Sequence, residues 1–394
     1  MFSALPDLPE DAILRLMALY RDDPRPAKLD LGVGVYRDAD GRTPVMGAIK
    51  AAEQRLCDTQ DTKSYVGLLG APDFAAAITS LVLGDDMAAR TACAATPGGT
   101  GALHLAAELV AMAAPGAAVW LPDPTWPNHA GILAHCGRSV RHYRHAAPDG
   151  RFDAKGMAED LRAAAPGDVV LLHGCCHNPT GIDPDADEWA ALAAGLAERG
   201  LLPLVDLAYL GFGAGLAADA APLRVLAAHC PEMLIAVSCS KTFGVYRDRV
   251  GALLAVAPQP ATRERTAAAL AHLNRLNFSF PPDHGARAVT LVLEDDGLRV
   301  QWHDELEAMR RRIAGLRAAL AAGLRQAAQT DQFDGIAAQR GMFSRLGLKP
   351  EHIRELRDRH AVYLVGDGRI NIAGLTDDVI PTLCRQVADV LHRA

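Results

Sequence analysis

The stretch Ser238-Cys239-Ser240-Lys241-Thr242-Phe243-Gly244 follows the apolar run 234–237. An apolar run that ends in small hydroxyl residues predicts a buried strand leading into a loop, and sheet proteins place their chemistry in such loops. Lys241 is the candidate nucleophile, because most basic residues of this chain are arginine and a desolvated lysine amine can lose its proton and form a Schiff base with a carbonyl. An ordinary solvated lysine is the alternative.

Around this stretch, apolar strand patterns alternate with helical patterns from about residue 43 onward. Strands are predicted at 92–96, 119–122, 168–173, 201–206, 234–238 and 251–257. Helices are predicted at 100–113, 128–135, 186–199 and 222–229. Continuous apolar strands separated by helices predict an α/β fold, in which helices cover both faces of a mostly parallel central sheet.

The domain limits follow from the ends of this alternating pattern. A short helix at 11–20 opens an N-terminal arm, and residues 1–43 are expected to form this arm and part of a small domain. A large ligand-binding domain is expected at 44–305. A long amphipathic helix and a C-terminal small α/β domain are expected at 306–394. The helix is predicted by apolar residues that recur every three or four positions, namely Leu306, Met309, Ile313, Leu316, Leu320 and Leu324.

The composition excludes several classes of protein. A chain of 394 residues with 50% apolar and 22% charged residues is typical of a globular protein. The net charge of −7 argues against a nucleic-acid partner, which normally requires a basic surface. Asp7, Glu10 and Asp11 stand where a signal peptide would be basic or apolar, and no apolar run approaches the ~20 residues that span a bilayer. We therefore expect a cytoplasmic protein without membrane contact.

The eight cysteines include no C-x-x-C pair, so neither a zinc site nor a disulfide framework is expected. Cys175-Cys176-His177 is a cluster of potential metal ligands. Adjacent cysteines do not bridge easily, however, and small thiols pack well in cores. We expect packing at this cluster and no metal site.

The residues that follow the predicted strands include several groups that can bind a ligand. In parallel sheets, ligands bind beyond the carboxyl ends of the strands. Pro97-Gly98-Gly99-Thr100-Gly101 leads directly into a helix, so its backbone N–H groups suit a phosphate or carboxylate. It is not a P-loop, because no Gly-Lys-Ser/Thr follows. A tight structural turn is the alternative.

Trp126, Asn178 and Asp206 stand after three other strands. The tryptophan offers a flat face to a heteroaromatic ring, and the asparagine offers an amide to a ligand oxygen. Asp206, with Tyr209 three residues later, closes an apolar run and needs a cationic partner, because a buried charge without one costs about 3–5 kcal/mol. The alternatives are a core tryptophan, a plain turn and a salt bridge. Together with Lys241 and the glycine turn, these groups match the aldehyde, phosphate, ring and ring nitrogen of pyridoxal phosphate.

Seven motifs then resemble the class I pyridoxal-phosphate aminotransferases of the aspartate and aromatic amino acid group, over essentially the whole chain. They are residues 32–36, 96–101, 126–129, 173–181, 206–209, 238–244 and 368–374. The resemblance implies the fold type I of pyridoxal-phosphate transferases and a Schiff base at Lys241, which would also move the proton at the substrate α-carbon. It further implies Asp206 at the ring nitrogen with His129 behind it, Asn178 and Tyr209 at the ring oxygen, Trp126 and Ala208 on the two ring faces, and Gly99, Thr100, Ser238 and Arg249 at the phosphate.

The resemblance also implies a homodimer with shared active sites, acting on amino acids and 2-oxo acids such as 2-oxoglutarate. Tyr65 of the partner subunit would join the phosphate site, and Arg275 of the partner subunit would face the side-chain carboxylate of an acidic substrate. Arg369 and the Gly34 backbone would bind the α-carboxylate, because a guanidinium fork fits a planar anion.

Phe280 stands where aspartate aminotransferases usually carry asparagine. An aromatic ring beside Arg275 makes the substrate pocket more apolar, so we expect an aromatic-amino-acid transaminase. An aspartate transaminase with strict dicarboxylic preference is the alternative. A decarboxylase or racemase would keep Lys241 and Asp206 without requiring Arg275. Two more distant hypotheses are the effector domain of a transcription regulator and a metal- or cysteine-dependent hydrolase.

Overall fold

The structure is a computed structural model that describes residues 1–6 and 12–393. Asp7, Glu10 and Asp11, on which the expectation about the N-terminus depends, lie outside those residues. The described chain divides into two compact units. Unit 1 comprises residues 1–43, 179–181 and 312–394, and unit 2 comprises residues 44–178 and 182–311.

The strands of the described chain are short, and most of them belong to unit 2. They are β1 (Leu29–Asp30), β2 (Thr91–Pro97), β3 (Ala118–Asp123), β4 (Ser139–Arg144), β5 (Val169–His173), β6 (Leu202–Leu207), β7 (Met233–Ser238), β8 (Val250–Val256), β9 (Phe343–Arg345), β10 (Val362–Tyr363) and β11 (Arg369–Asn371).

The helices alternate with these strands through unit 2 and predominate in unit 1. They are α1 (Ala12–Asp22), α2 (Gly47–Thr59), α3 (Pro72–Leu83), α4 (Gly98–Ala113), α5 (Asn128–His135), α6 (Ala154–Asp160), α7 (Ala186–Glu198), α8 (Leu216–His229), α9 (Cys239–Thr242), α10 (Pro260–Asn277), α11 (His284–Glu294), α12 (Asp296–Ala328), α13 (Pro350–His360) and α14 (Ile380–Arg393).

Unit 2 is organised around one sheet, which has seven strands in the described residues, in the order β2-β8-β7-β6-β5-β3-β4. The strands β4, β3, β5, β6 and β7 pair in parallel, while β8 runs antiparallel to both β7 and β2. Every residue of β5, β7 and β8 is buried, as expected for strands covered on both faces. The predicted α/β fold with a mostly parallel sheet is therefore confirmed.

In unit 1, β1 pairs in parallel with β10, and β9 pairs antiparallel with β11. The predicted amphipathic helix lies within α12, which has 33 residues, and five of its six predicted apolar positions are buried. No helix in the described part of the chain combines the length and the apolar character needed to cross a bilayer.

Candidate active site

Gly98 and Gly99 bring two side chains of unit 2 against the N-terminus of α4. Gly98 has a φ of +75°, and a Cβ there would lie 2.5 Å from Arg249 Nη2. A Cβ at Gly99 would lie 2.8 Å from Ser238 Cβ. Glycine is therefore required at both positions for Arg249 and Ser238 to approach. Because α4 is a 16-residue helix with unsatisfied N–H groups at this end, the resulting turn suits an anion.

Arg249 and Thr100 complete this turn from its exposed side. Arg249 Nη1 donates to Ser240 Oγ at 3.3 Å. The Arg249 backbone has a φ of +56°, a left-handed conformation that costs of order 1–3 kcal/mol in a residue other than glycine. Such strain at the rim of an anion-binding turn is typical of a functional site.

Lys241 lies on α9, the single turn that begins where β7 ends. The Ser238 side chain accepts a hydrogen bond from Ser240 N at 3.3 Å and so caps this turn. Thr242 Oγ1 donates to the Leu210 carbonyl at 2.9 Å, which ties the turn to the segment after β6. As a result, Lys241 Nζ lies 5.0 Å from the centroid of the Tyr209 ring.

The ends of β5 and β6 carry the other polar groups near this lysine. Asn178 Nδ2 donates to Tyr209 Oη at 3.4 Å. Ala208 follows β6 directly. Trp126 is half-buried against the core, and its ring meets the His129 ring edge-on at 5.2 Å. The structure therefore gathers these sequence-predicted residues at one edge of the sheet.

Asp206 is buried and accepts a hydrogen bond from His129 Nε2 at 3.0 Å. Burial alone would raise the pKa of Asp206, but the hydrogen bond and the charge interaction with His129, with a smaller contribution from Lys241, hold this pKa below its ordinary value. The carboxylate is consequently ionised near neutral pH, which is the state that can pair with a protonated ring nitrogen.

A chain of buried and half-buried polar groups extends behind Asp206, and the sequence interpretation gave Thr125 and His173 no role in it. Thr125 Oγ1 lies 2.8 Å from His129 Nδ1 and 3.1 Å from His173 Nε2. Burial lowers the pKa of His173 to about 3, so its ring is neutral at physiological pH. The four-residue spacing of Thr125 and His129 at the start of a helix was the available signal for this contact.

The histidine chain continues to His177 and His145, whose rings stack with centroids 3.5 Å apart. Burial lowers the pKa of His145 to about 4 and that of His177 well below its ordinary value. His145 Nε2 donates to the Ile182 carbonyl at 2.9 Å. The rings are therefore neutral and form part of the packed interior of unit 2.

In unit 1, Arg369 is 4% exposed and lies on β11. Its Nη2 donates to the Gly32 carbonyl at 2.8 Å, and its guanidinium lies over the Phe343 ring at 4.5 Å. A Cβ at Gly34 would lie 2.9 Å from Phe343 Cζ, so Gly34 leaves room for this ring. The sequence interpretation gave Phe343 no role in the binding of a substrate.

Tyr65, Arg275 and Phe280 form a cluster of their own in unit 2. Tyr65 is 83% exposed and stacks on Phe280, with ring centroids 4.7 Å apart. The Arg275 guanidinium lies 5.7 Å from the Phe280 centroid, and its Nη1 donates to Ser279 Oγ at 2.5 Å. An exposed tyrosine stacked on a half-buried phenylalanine, beside an arginine, is a composition found at the centres of protein interfaces.

Cys175, Cys176 and Asp219 are buried, with potential metal-ligating atoms all within 4.8 Å of one another. The Asp219 carboxylate accepts three hydrogen bonds from backbone N–H groups of residues 211–214. The hydrogen bond with Cys176 and burial raise the pKa of the Cys175 thiol well above its ordinary value. The carboxylate therefore holds a loop, and the Cys175 thiol is protonated.

Residues 26–387 match the family described as aminotransferase class I and II. The chain belongs to this family. The aminotransferase is 52% identical over 382 residues to an aromatic-amino-acid aminotransferase of Paracoccus denitrificans, a match that covers 96% of this chain and 97% of the relative. It is 43% identical over 398 residues to an aspartate aminotransferase of Escherichia coli K12, covering 99% of this chain and 100% of the relative.

A solved structure shows the same fold. The aromatic-amino-acid aminotransferase from Burkholderia pseudomallei, described as covalently bound to pyridoxal phosphate, is 36% identical to this aminotransferase. The TM-score is 0.96, and the match covers 99% of each chain. The resemblance of the seven motifs to aminotransferases is thus confirmed.

Proposed function

We propose that this aminotransferase transfers the amino group of aromatic L-amino acids, and of acidic ones, to 2-oxoglutarate with pyridoxal phosphate as cofactor. The main support for this cofactor is the buried, ionised Asp206 beside Lys241, with the glycine turn of α4 at the same edge of the sheet. The similarity to an aromatic-amino-acid aminotransferase at 52% identity supports the aromatic substrate class. The protein would work as a cytoplasmic homodimer.

The residues of unit 2 fit this cofactor. The space that a Cβ would fill at Gly98 and Gly99 gives the turn its capacity for phosphate, with Arg249 and Ser238 as further donors. Asn178 and Tyr209 would bind the ring oxygen. Pyridoxal phosphate, when bound at Lys241, supplies the electron sink that allows an amino acid to lose its α-hydrogen.

Asp206 and Lys241 would have the two main catalytic roles. Asp206, held ionised by His129, would stabilise the positive ring nitrogen by charge and hydrogen bonding. Lys241 Nζ would take the proton from the substrate α-carbon as a general base and return it as a general acid. The two substrates would bind in turn, as in a ping-pong mechanism.

Arg369 would bind the α-carboxylate that both substrates share, with the Gly34 backbone beside it. Its stacking on Phe343 and its bond to Gly32 fix the guanidinium before substrate arrives, which reduces the entropy lost on binding. Tyr65 and Arg275 of the partner subunit would complete the site. Arg275 would serve the acidic substrates, and Phe280 would make the same pocket more apolar.

The test is a panel of amino acids in single half-reactions, followed by the absorbance change of the bound cofactor. Phenylalanine, tyrosine, aspartate and glutamate are expected to react. Arg275→Ala should lower kcat/KM for aspartate at least about 100-fold, because it leaves the second carboxylate unpaired, and lower it much less for phenylalanine. Equal losses for both substrates would reject the role of Arg275.

An aspartate transaminase with strict dicarboxylic preference is the second candidate, because Arg275 is present and an Escherichia coli aspartate aminotransferase is 43% identical. The same panel separates the two. Phenylalanine turnover at less than about one thousandth of the aspartate value would favour the strict enzyme, since a difference of that size needs about 4 kcal/mol of discrimination.

A further inference from the structure

A cavity of about 260 Å³ lies between α6 and α7 in unit 2. We call it the α6–α7 cavity. Its volume is just below the roughly 300 Å³ at which small-molecule pockets begin, so it suits a small ligand. It shares no residue with the proposed cofactor and substrate groups.

The walls of the α6–α7 cavity are apolar. Met157, Leu161 and Leu196 line it and are at most 4% exposed. The space between the two helices exists because small residues of both helices line it. At Gly195, on α7, an added Cβ would meet no atom within 4 Å, so this part of the cavity is open space.

The charged residues at the α6–α7 cavity differ in whether they already have a partner within the protein. Arg162 and Arg199 line it, and across residues 1–6 and 12–393 neither forms an ion pair with a carboxylate. Arg199 Nε is buried and has no hydrogen-bond partner among the described residues. Glu188, the acidic lining residue, is already engaged, because it accepts a hydrogen bond from Asp185 N at 2.8 Å in the capping box of α7.

We propose that the α6–α7 cavity binds a small amphipathic monocarboxylate. The carboxylate pairs with Arg199 and Arg162, and the buried Arg199 Nε supplies a hydrogen bond that none of the residues described by the structure accepts. The apolar tail, of roughly six to eight carbons given the cavity size, lies between Met157 and Leu196. A neutral ligand leaves the charges of Arg199 and Arg162 unpaired, and a dicarboxylate puts its second charge against apolar walls. The inference is independent of the amino acid preference.

Octanoate is a suitable ligand for the test, with the intact holoenzyme labelled at the methionine methyl carbons. Titration should shift the Met157 methyl resonance, assigned from a Met157→Leu sample, and the shift should saturate. Gly195→Met should reduce this affinity at least about tenfold by filling the cavity, and it should fold well because methionine is the better helix former. Arg199→Met should also reduce it about tenfold, and Arg199→Lys should do so less.

Octanamide is the matched neutral ligand and should bind at least about fivefold more weakly, since it lacks the charge that the two arginines pair with. An unshifted Met157 methyl at saturating octanoate overturns the proposal. So does an equal affinity of the wild type and Gly195→Met, which would place octanoate elsewhere, the substrate pocket included. Octanamide binding as tightly as octanoate would overturn the assignment of an anionic ligand.

Discussion

Asp206 remains ionised in a buried position because its neighbours favour the charged form. His129 donates to it, and Thr125 holds the far side of the His129 ring. Burial opposes the charge, yet the net direction of the pKa is downward. The proposed electron sink therefore depends on a buried hydrogen-bond arrangement as well as on one carboxylate.

Asp206→Asn tests this dependence, since it keeps the shape and removes the charge. We expect kcat to fall at least about 100-fold, as for the loss of a preorganised electrostatic contact, and cofactor affinity to fall with it. Steady-state kinetics and a cofactor titration measure the two effects. His129→Gln is the matched variant and should show a smaller loss, because the carboxylate stays. Wild-type turnover by Asp206→Asn would contradict the assignment.

The buried histidines predict a pH dependence of the free energy of unfolding. The folded pKa of His145 is about 4 and that of His173 about 3, against an ordinary value of about 6.5. Below pH 6.5 the unfolded chain therefore binds more protons than the folded chain. The free energy of unfolding should fall by at most about 1.4 kcal/mol per pH unit for each such histidine as the pH drops from 6.5 toward 4.

Urea unfolding at pH 7.0 and 5.5 measures this slope. His145→Gln keeps a donor for the Ile182 carbonyl and removes one titrating group. Its slope between these two pH values should be flatter by roughly 0.6 proton, because the unfolded histidine is only partly protonated at pH 7.0. Identical slopes for the variant and the wild type would show that His145 takes up its proton equally easily in the folded protein.

For single residues, the sequence was informative where a side chain lies at the carboxyl end of a strand or in the segment that follows it. Lys241, Asp206 and Asn178 could be placed together because the carboxyl ends of parallel strands share one edge. The contact of Thr125 with His173 could not be predicted from the sequence, because it depends on β3 and β5 being neighbours in the sheet. The Arg369 stack on Phe343 was hidden for the same reason, since it depends on the pairing of β11 with β9.

Among the elements, α7 has the best-defined start. The Asp185 side chain accepts from Glu188 N at 2.9 Å, and the Glu188 side chain accepts from Asp185 N. Asp185→Ala should lower the free energy of unfolding by about 1 kcal/mol, measured by urea titration. Asp187→Ala is the control, because Asp187 lies in the same first turn but makes no cap. It should cost less than about 0.5 kcal/mol through the helix dipole, and equal losses would exclude the capping role.

There are physical reasons why the sequence interpretation missed or misplaced some elements. The edge strand β4 has a largely exposed pattern with only Tyr143 fully buried, so it lacks the apolar run of a central strand. The direction of β8 is not encoded in its period of two. The helix α8 begins at Leu216, not at Pro222. Its first turn carries Asp219, whose bonds to residues 211–214 hold the start upstream of the proline.

For the whole molecule, the main proposal is a dimer in which each active site uses residues of both subunits. Tyr65 exposes most of its ring where it stacks on the half-buried Phe280 next to Arg275, and an exposed aromatic group of this kind is normally covered by a partner. Cyclic symmetry then gives two equivalent sites per dimer. A site would take Lys241 and Asp206 from one subunit and Arg275 from the other.

Hybrid dimers test this arrangement directly with aspartate as substrate. Lys241→Ala and Arg275→Ala should each be nearly inactive alone, for different reasons. Refolded together at equal amounts, they should recover about a quarter of the wild-type activity, because half of the dimers are hybrids with one intact site. The control mixture of Lys241→Ala with Asp206→Ala should recover nothing, since both residues belong to the same subunit's half of the site. Recovery in the control mixture, or none in the first, would contradict a site shared in this way.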